Sequence, residues 1–255
     1  MQTNNLTKNT EKKRILGQEQ SGIGARGKSI FEKNEEFEEL VKRLGPKRTR
    51  ELYWAISPFT WVREEEIRNE KGEILEFKQH SFLKDIYDDF TPIQAVRKAS
   101  QIGFTTMQVL KAINSVALRK WTIIYTLPTF SSVQEVVPAK VNALIAYNPS
   151  ISAWIKDKDS VFQKQIGSGF IYFRGTHAGR IESEKMEAGV GLTLSSDLNI
   201  ADECDRSDQT ILEQYESRLA ASKYRGRWYF SNPSHPNTLS QKVYEQSDQK
   251  HWFIK

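Results

Sequence analysis

The sequence is poor in cysteine and in long apolar runs, and both shortages restrict its function. Cys204 is the only cysteine, so the chain cannot form an internal disulfide or supply a cysteine-rich zinc site. No apolar run approaches the roughly 20 residues that span a bilayer, and the polar N-terminus lacks the apolar stretch of a signal peptide. These absences predict an intracellular protein that has no membrane partner.

The composition is that of a soluble globular protein. A length of 255 residues allows one large α/β domain with appended elements, or two small domains. Hydrophobic residues make up 38% of the chain and charged residues 27%, which excludes wholesale disorder. The net charge of +5 is compatible with a polyanionic partner and equally with an ordinary enzyme.

The hydrophobic pattern divides the chain into three parts. Residues 1–28 are polar and predict a flexible leader, whose basic residues are most simply a solvated arm. Residues 29–90 predict a helical extension with a short strand at 73–77 and a helix at 81–90. Residues 91–255 predict a mostly parallel sheet with helices on both faces, because strands and helices alternate. The predicted strands are 93–98, 121–126, one ending at Ala201, 227–231 and 251–254, and the predicted helices are 105–119, 130–146, 208–222 and 238–246.

A phosphate-binding loop is predicted where the first of these strands meets its helix. Successive backbone N–H groups of such a loop point at phosphate oxygens, and the hydroxyl of Thr105 is placed to ligate magnesium. An ordinary strand–turn–helix connection would also have glycine and threonine here. The predicted nucleotide-binding residues match the length of the Walker A motif G-x-x-x-x-G-K-[ST] and are Lys98, Ala99, Ser100, Gln101, Ile102, Gly103, Phe104, Thr105 and Thr106.

Two positions of this loop depart from the general motif. Phe104 stands in place of the lysine, and Lys98 stands in place of the first glycine. The β and γ phosphates still require a cation, because backbone dipoles and one magnesium ion do not fully neutralise the charge that develops on them. The side chain of Lys98 is long enough to reach back over the loop, so Lys98 is the predicted catalytic cation, with Arg97 as the second candidate.

Two adjacent carboxylates follow the apolar strand that ends at Ala201. Asp202 and Glu203 have the pattern of a Walker B strand with its catalytic glutamate. Asp202 is predicted to bind Mg²⁺, and Glu203 to activate the water that attacks the γ phosphate of ATP. A strand followed by a polar turn is the alternative. Cys204 is predicted to be a small buried neighbour.

A third polar motif follows the strand at 227–231. Ser231, Asn232, Pro233 and Ser234 fit the position of residues that sense the γ phosphate in P-loop ATPases with a catalytic glutamate. The same residue types are ordinary turn formers. The order of the three motifs predicts an α/β protein with the P-loop NTPase fold of the catalytic-glutamate type and an N-terminal helical extension.

The three motifs together resemble the ATPase domain of the large terminase subunits of tailed phages, in the lambda-like branch. In that branch the lysine stands at the front of the phosphate loop and an aromatic residue precedes Ser or Thr, as Lys98, Phe104 and Thr105 do here. The resemblance covers roughly residues 50–255 and does not include the leader. Further similar stretches are 173–176, 202–206, 231–234 and 244–253.

The resemblance implies magnesium-dependent ATP hydrolysis that drives double-stranded viral DNA into a procapsid in the host cytoplasm. The implied partners are the portal protein and the small terminase subunit. The implied assembly is a homo-oligomeric ring, although a monomer is compatible with the isolated domain. Large terminases also carry a C-terminal nuclease domain, and no nuclease activity is expected here because the sequence stops at Lys255.

Two parts of the expected ATP site are left open by the sequence. Phosphoryl transfer in such enzymes uses an arginine finger from the same or a neighbouring subunit. Adenine is expected upstream of the phosphate loop, near Gln79, Phe82 and Tyr87, which fit a hydrophobic core equally well. The candidate arginine fingers are Arg174, Arg180, Arg206, Arg218 and Arg225.

Two other functions fit parts of the sequence. A helicase-like nucleic-acid-dependent ATPase would share the acidic pair and a serine-containing coupling motif. It would keep the lysine that is Phe104 here, and it would require a second motor lobe. A non-hydrolysing DNA-binding assembly module would have no physical need for Asp202 and Glu203 at a strand end.

Overall fold

The computed structural model of the chain describes residues 35–78, 80–177 and 194–251. The predicted leader, residues 1–28, lies outside the described residues. Within the described ranges no helix has the length and apolar character needed to cross a membrane.

The chain divides into two compact units, Met1–Arg43 and Leu44–Lys255. In the first unit the described residues belong to helix α1 (Glu35–Leu44), which agrees with the helical spacing of the sequence at this point. The sheet and the predicted site motifs all belong to the second unit.

Three helices precede the sheet in the second unit: α2 (Pro46–Ile56), α3 (Pro58–Glu64) and α4 (Leu83–Asp88). Both α2 and α3 begin with proline, whose fixed φ suits the first helical position. At the start of α3 the hydroxyl of Ser57 accepts a hydrogen bond from the backbone N–H of Thr60. The predicted helical extension therefore contains two separate helices here, which meet at Ser57.

The predicted strand at 73–77 is wrong. The segment pairs with its neighbours only through an isolated bridge between Arg68 and Ile74. Two short antiparallel segments without a third strand do not make a stable sheet. Phe77 instead packs edge-to-face against Phe59 and Tyr87, so the segment's apolar residues serve the helical core.

Within the described ranges, seven strands form one sheet with the order β1-β7-β6-β2-β5-β4-β3. The first five in this order are parallel, and β4 and β3 add antiparallel strands beyond β5. The predicted mostly parallel sheet is therefore confirmed. The strands are β1 (Ile93–Arg97), β2 (Thr122–Leu127), β3 (Ile155–Asp159), β4 (Gln163–Ile166), β5 (Gly169–Gly175), β6 (Leu198–Asp202) and β7 (Gly226–Ser231).

Helices follow most of the parallel strands, as the alternating pattern predicts. A π-helical segment, Val137–Asn142, joins α6 to α7, and it contains Pro138, which has no N–H for the regular helical ladder. The helices are α5 (Phe104–Arg119), α6 (Phe130–Val136), α7 (Ala143–Tyr147), α8 (Pro149–Ser152), α9 (Gln209–Glu216) and α10 (Leu239–Glu245).

The core lies on both faces of the sheet. Successive side chains of a strand point to opposite faces, so Trp228 and Phe230 of β7 point away from Tyr229. The first two residues belong to the large core cluster that also contains buried residues of α5 and α6. Tyr229 belongs to a smaller cluster with Cys204 and with Leu212 of α9, against which residues of α10 pack. Helices therefore cover both faces, as predicted.

One predicted helix is shorter in the structure than expected. The helix predicted at 208–222 ends at Glu216 and continues only as a 3₁₀ turn, Ser217–Leu219, because the Ser217 hydroxyl bonds the carbonyl of Gln214. The sequence predicted no bounds for the two strands of the β3–β4 hairpin. Of the strand predicted at 251–254, only His251 lies within the described residues.

The topology brings the three sequence motifs to one edge of the sheet. Strands β1, β7 and β6 are adjacent and parallel, so their carboxyl ends meet. Lys98 follows β1, Ser231 ends β7 and Asp202 ends β6. The strand with the predicted sensing residues lies between the phosphate-loop strand and the acidic strand.

Candidate active site

The phosphate loop joins β1 to α5 through two residues in the left-handed region. Gln101 has φ 59°, and Gly103, which caps the N-terminus of α5, has φ 74° and ψ 8°. Glycine adopts this conformation without the steric penalty of a Cβ atom. The first amides of α5 have no acceptor within the helix and are available to an anion.

Phe104 is a core residue. It is the first residue of α5, is only 2% exposed, and its ring centroid lies 5.1 Å from that of Phe230 on β7. The position at which the general motif has its lysine therefore points into the hydrophobic core in this chain. If the loop binds phosphate as predicted, its cation comes from another position.

Lys98 is the cation that the structure brings to the acidic pair. Its side chain is 7% exposed, and its Nζ donates to Oε1 of Glu203 at 2.6 Å. Its backbone N–H donates to the carbonyl of Ser231 at 3.0 Å, which joins the start of the loop to the end of β7. A buried lysine and a partly buried glutamate thus form a charge-assisted hydrogen bond across the site.

Asp202 is held on one side and open on the other. Its Oδ2 accepts hydrogen bonds from Thr105 Oγ1 and from the hydroxyl of Tyr125, each at 3.1 Å. Its Oδ1 is buried and has no hydrogen-bond partner among the described residues. Burial raises the pKa of Asp202 to about 6, although the charge of Lys98 opposes this shift.

The site fits a magnesium ion of the kind that bridges protein and phosphate oxygens. Thr105 and Asp202 supply the oxygen ligands that Mg²⁺ prefers, and the orphaned Oδ1 of Asp202 is an acceptor that a metal-bound water would satisfy. In the described part of the chain no group of three or more His, Cys, Asp or Glu side chains is placed to hold a metal. The remaining ligands would therefore be water and substrate phosphate, as is usual for Mg²⁺ in such sites.

Glu203 stands just beyond β6 in a left-handed backbone conformation, with φ 53° and ψ 44°. A residue other than glycine adopts this conformation at a cost, so the surrounding structure must hold it. The side chain meets the end of β7, where Ser231 Oγ lies 3.3 Å and the N–H of Asn232 3.5 Å from Glu203 Oε2. Lys98 and the β7 end therefore occupy both oxygens of this carboxylate.

The residues after β7 also contact the phosphate loop. Asn232 Nδ2 donates to the hydroxyl of Ser100 at 2.8 Å. Pro233 and Ser234 are exposed, and Pro233 lines the cavity beside β1. Of the four residues predicted to sense the γ phosphate, the structure brings Ser231 and Asn232 into contact with other residues of the predicted site.

A cavity of about 640 Å³ lies beside the outer edge of β1 and the start of the phosphate loop. Phe82, predicted on the adenine side, lines it together with Arg97 and Tyr244. Tyr87 does not line it, because it is fully buried and packs against Phe59 and Phe77 in the core. Gln79 lies outside the described residues.

The candidate arginines occupy different places. Arg225 directly precedes β7, and the carbonyl of Arg218 accepts from Ser196 ahead of β6, so both lie at the opposite edge of the sheet. Arg174 on β5 donates to the carbonyls of Phe162 and Phe173. Arg206 is exposed in the 3₁₀ turn after Glu203, at the same edge as the site. Arg180 lies outside the described residues.

Two contacts of the site have no signal in the sequence. Tyr125 lies on β2, and only its pairing beside β6 brings its hydroxyl to Asp202. The hydroxyl of Thr106 donates to Glu70, whose carboxylate also pairs with Lys140 of the π-helical segment at 2.8 Å. Thr106 therefore offers a nucleotide only its backbone N–H, because its side chain anchors α5 to the preceding segment.

Comparison with known proteins identifies the family. The model of the phage terminase large subunit gpA, ATPase domain, matches residues 83–255, which is more than half of the chain. Among solved structures, the large terminase of a thermophilic bacteriophage matches with a TM-score of 0.42 and 13% identity, over 67% of this chain and 40% of that one. No curated protein sequence matches. This chain therefore belongs to the phage terminase large subunit family and contains its ATPase domain.

Proposed function

We propose that this chain hydrolyses ATP to drive the packaging of double-stranded viral DNA into a procapsid. The observation that carries the proposal is the meeting of Lys98, Thr105, Asp202, Glu203 and Ser231 at the carboxyl ends of three adjacent parallel strands. Cation, metal ligands, base and sensor are the parts that phosphoryl transfer requires. Because these residues come together from three distant segments of the chain, we infer that they act together in one reaction.

In this mechanism the triphosphate binds over the phosphate loop. The free amides at the start of α5 would bind the phosphate oxygens, and Lys98 would place its charge on the β and γ phosphates. Thr105 and Asp202 would hold Mg²⁺, which when bound neutralises part of the developing charge. Tyr125 would keep Asp202 oriented by its hydrogen bond to Oδ2.

Glu203 would act as the general base for the attacking water. For this it must be released by Lys98, because the 2.6 Å ion pair occupies the oxygen Oε1. The γ phosphate competes for the same ammonium group, so binding of ATP would free the carboxylate next to the bond that is broken. Ser231 and Asn232 contact the other oxygen and would report the state of the γ phosphate to the loop after β7.

The cavity beside β1 is the proposed position of adenine. It adjoins Lys98 and Ala99 of the phosphate loop, and Phe82 and Tyr244 supply aromatic surface for a base. The portal protein, the small terminase subunit and a homo-oligomeric ring are the proposed partners and assembly, and the host cytoplasm the proposed location. These proposals follow from membership of the family.

Steady-state ATPase activity with magnesium, with and without double-stranded DNA, tests the function. Native protein is compared with Glu203→Gln, Lys98→Ala and Arg97→Ala, the last being a neighbouring cation on the cavity side. We expect Glu203→Gln to lower kcat at least about 100-fold while ATP still binds. Lys98→Ala is expected to lose both turnover and affinity, and Arg97→Ala to keep turnover.

Each result that departs from these expectations identifies a different wrong step in the proposal. Full activity of Lys98→Ala together with loss in Arg97→Ala would move the phosphate cation to Arg97. Binding of ATP by the native chain without turnover, with or without DNA, would favour a non-hydrolysing assembly module. Circular dichroism of each variant shows whether a loss of activity comes from unfolding.

A further inference from the structure

The turn that carries Glu203 is too short to be stable by itself. Residues Cys204–Arg206 form a single 3₁₀ turn, closed by a hydrogen bond from the N–H of Arg206 to the carbonyl of Glu203 at 2.9 Å. One turn of 3₁₀ helix has poor hydrogen-bond geometry, and Glu203 itself is in a left-handed conformation. Contacts from other elements must therefore fix the direction of the Glu203 side chain.

Asp205 makes two of these contacts, both with Ser240. Its Oδ1 accepts from the backbone N–H of Ser240 at 2.8 Å, and its Oδ2 accepts from the Ser240 hydroxyl at 2.7 Å. Ser240 is completely buried, so water does not compete for these bonds. Hydrogen bonds that involve a carboxylate are about twice as strong as neutral ones.

The helix that receives Asp205 is the one that follows the sensing residues. Ser240 lies in the first turn of α10, whose N-cap residue Thr238 makes no side-chain capping bond. Asp205 supplies that bond from outside the helix. Ser231 at the end of β7 and Asn232 at the start of the β7–α10 loop contact Glu203 from the other side. Glu203 is thus enclosed by one ring of contacts that passes through Asp205, Ser240 and the β7–α10 loop.

We propose that Asp205 is a positioning residue that holds Glu203 in register with the β7–α10 loop. The proposal rests on the proposed role of Glu203 as the base. Asp205 does not reach the reacting atoms; it fixes the turn at one end while Ser231 and Asn232 fix the carboxylate at the other. A movement of the β7–α10 loop would therefore change the direction of Glu203, which links hydrolysis to the motion of α10.

Asp208 offers a matched control in the same segment. Its carboxylate caps α9, accepting from the N–H groups of Thr210 and Ile211 at 2.8 and 3.3 Å. Asp208→Ala removes a helix-capping carboxylate without touching the Glu203 turn. Both Asp205→Ala and Asp208→Ala remove a carboxylate that caps a helix, but only Asp205→Ala removes a contact of the turn that carries Glu203.

Cys204 provides a probe of the turn that needs no nucleotide. It is the only cysteine of the chain, it is buried, and it lies between Glu203 and Asp205. Burial first, and then the charge of Asp205, raise the pKa of its thiol. Asp205→Asn removes the charge but keeps an amide that can bond Ser240, so it separates thiol acidity from opening of the turn.

The experiment combines maleimide labelling of Cys204 with steady-state ATPase kinetics. For Asp205→Ala we expect labelling at least about tenfold faster and kcat about 10- to 100-fold lower, with the Kd for ATP within about twofold of native. Asp205→Asn should recover most of both properties, and Asp208→Ala should resemble native. Labelling at the native rate in Asp205→Ala, or equal kcat losses in Asp205→Ala and Asp208→Ala, would overturn the proposal. If the native chain lacks ATPase activity, the function proposed above fails while labelling still decides whether Asp205 holds the turn.

Discussion

Phe104 restricts where the proposed phosphate cation can lie. The first side chain of α5 points between the helix and β7, where it contacts Phe230. A lysine at that position would have to bury its ammonium group in an apolar environment, at a cost of several kcal/mol. Lys98, the proposed cation at the start of the loop, avoids this cost because its ammonium group pairs with Glu203.

Restoring the general motif should therefore destabilise the protein. For Phe104→Lys we expect a loss of at least about 3 kcal/mol in the free energy of unfolding, because an unpaired charge replaces a buried ring. Phe104→Leu, which keeps an apolar side chain, should cost about 1 kcal/mol. Denaturant unfolding monitored by tryptophan fluorescence measures both. Equal stability of the two variants would mean that the side chain at this position reaches solvent.

Lys111 joins α5 to the end of α4 from inside the core. It is completely buried, donates to the carbonyls of Ile86 and Asp89, and its Nζ lies 4.1 Å from the ring centroid of Trp228 and 4.7 Å from that of Phe90. Carbonyls of the last turn and the C-cap of α4 thus find a donor. Burial lowers the pKa of Lys111 to about 7, while the charges of Asp89 and Asp88 oppose the shift.

This buried amine should make stability depend on pH. Between about pH 7 and the usual lysine value of 10.5 the unfolded chain holds a proton that the folded chain lacks, so stability rises with pH. Relative to Lys111→Met, native protein should gain about 2 kcal/mol of unfolding free energy between about pH 7 and about pH 9. Denaturant titrations at both values measure the gain. Lys84→Met, on α4 itself, is the control and should keep the native slope; the same slope in Lys111→Met would contradict the expectation.

The elements that carry the motifs were predictable from sequence, and their partners were not. β1, β6 and β7 are apolar runs that end in chemically distinctive residues, so their positions and the chemistry expected of them follow from local pattern. The contact between Tyr125 and Asp202 depends on the sheet order, which pairs segments far apart in the chain. The strand β3, with sequence Ile155-Lys-Asp-Lys-Asp159, is largely exposed and has no apolar alternation to mark it.

The positions of the candidate arginine fingers bear on how subunits would act together in the proposed ring. Among the described candidates, Arg206 is the exposed one at the edge where Glu203 lies, whereas Arg225 lies at the opposite edge. An arginine on the surface beside one site is suited to reach the site of a neighbouring subunit in a ring.

Mixing two inactive variants tests this arrangement. We expect Arg206→Ala to lower kcat at least about tenfold and Arg225→Ala to leave it near native. If Arg206 acts on a neighbour, adding Glu203→Gln should restore turnover to Arg206→Ala, because one variant supplies the arginine and the other the base. ATPase assays of the mixed variants, under conditions that assemble the proposed ring, measure this recovery. Native activity of Arg206→Ala would exclude it as the finger.

The pairing of β1 with β7 also has a consequence for biosynthesis. Ile93 of β1 is paired with Arg227 of β7, so β1 has no strand to pair with on this side until the ribosome has synthesised β7, about 130 residues later. At a typical rate of roughly 5–20 residues per second, the ribosome needs on the order of ten seconds to supply it. During that interval the hydrogen-bonding edge of β1 that faces β7 is open and the loop lacks the ends of β6 and β7. A nascent chain released before residue 231 would therefore have the predicted phosphate loop without the complete end of β7, and so without the complete proposed nucleotide site.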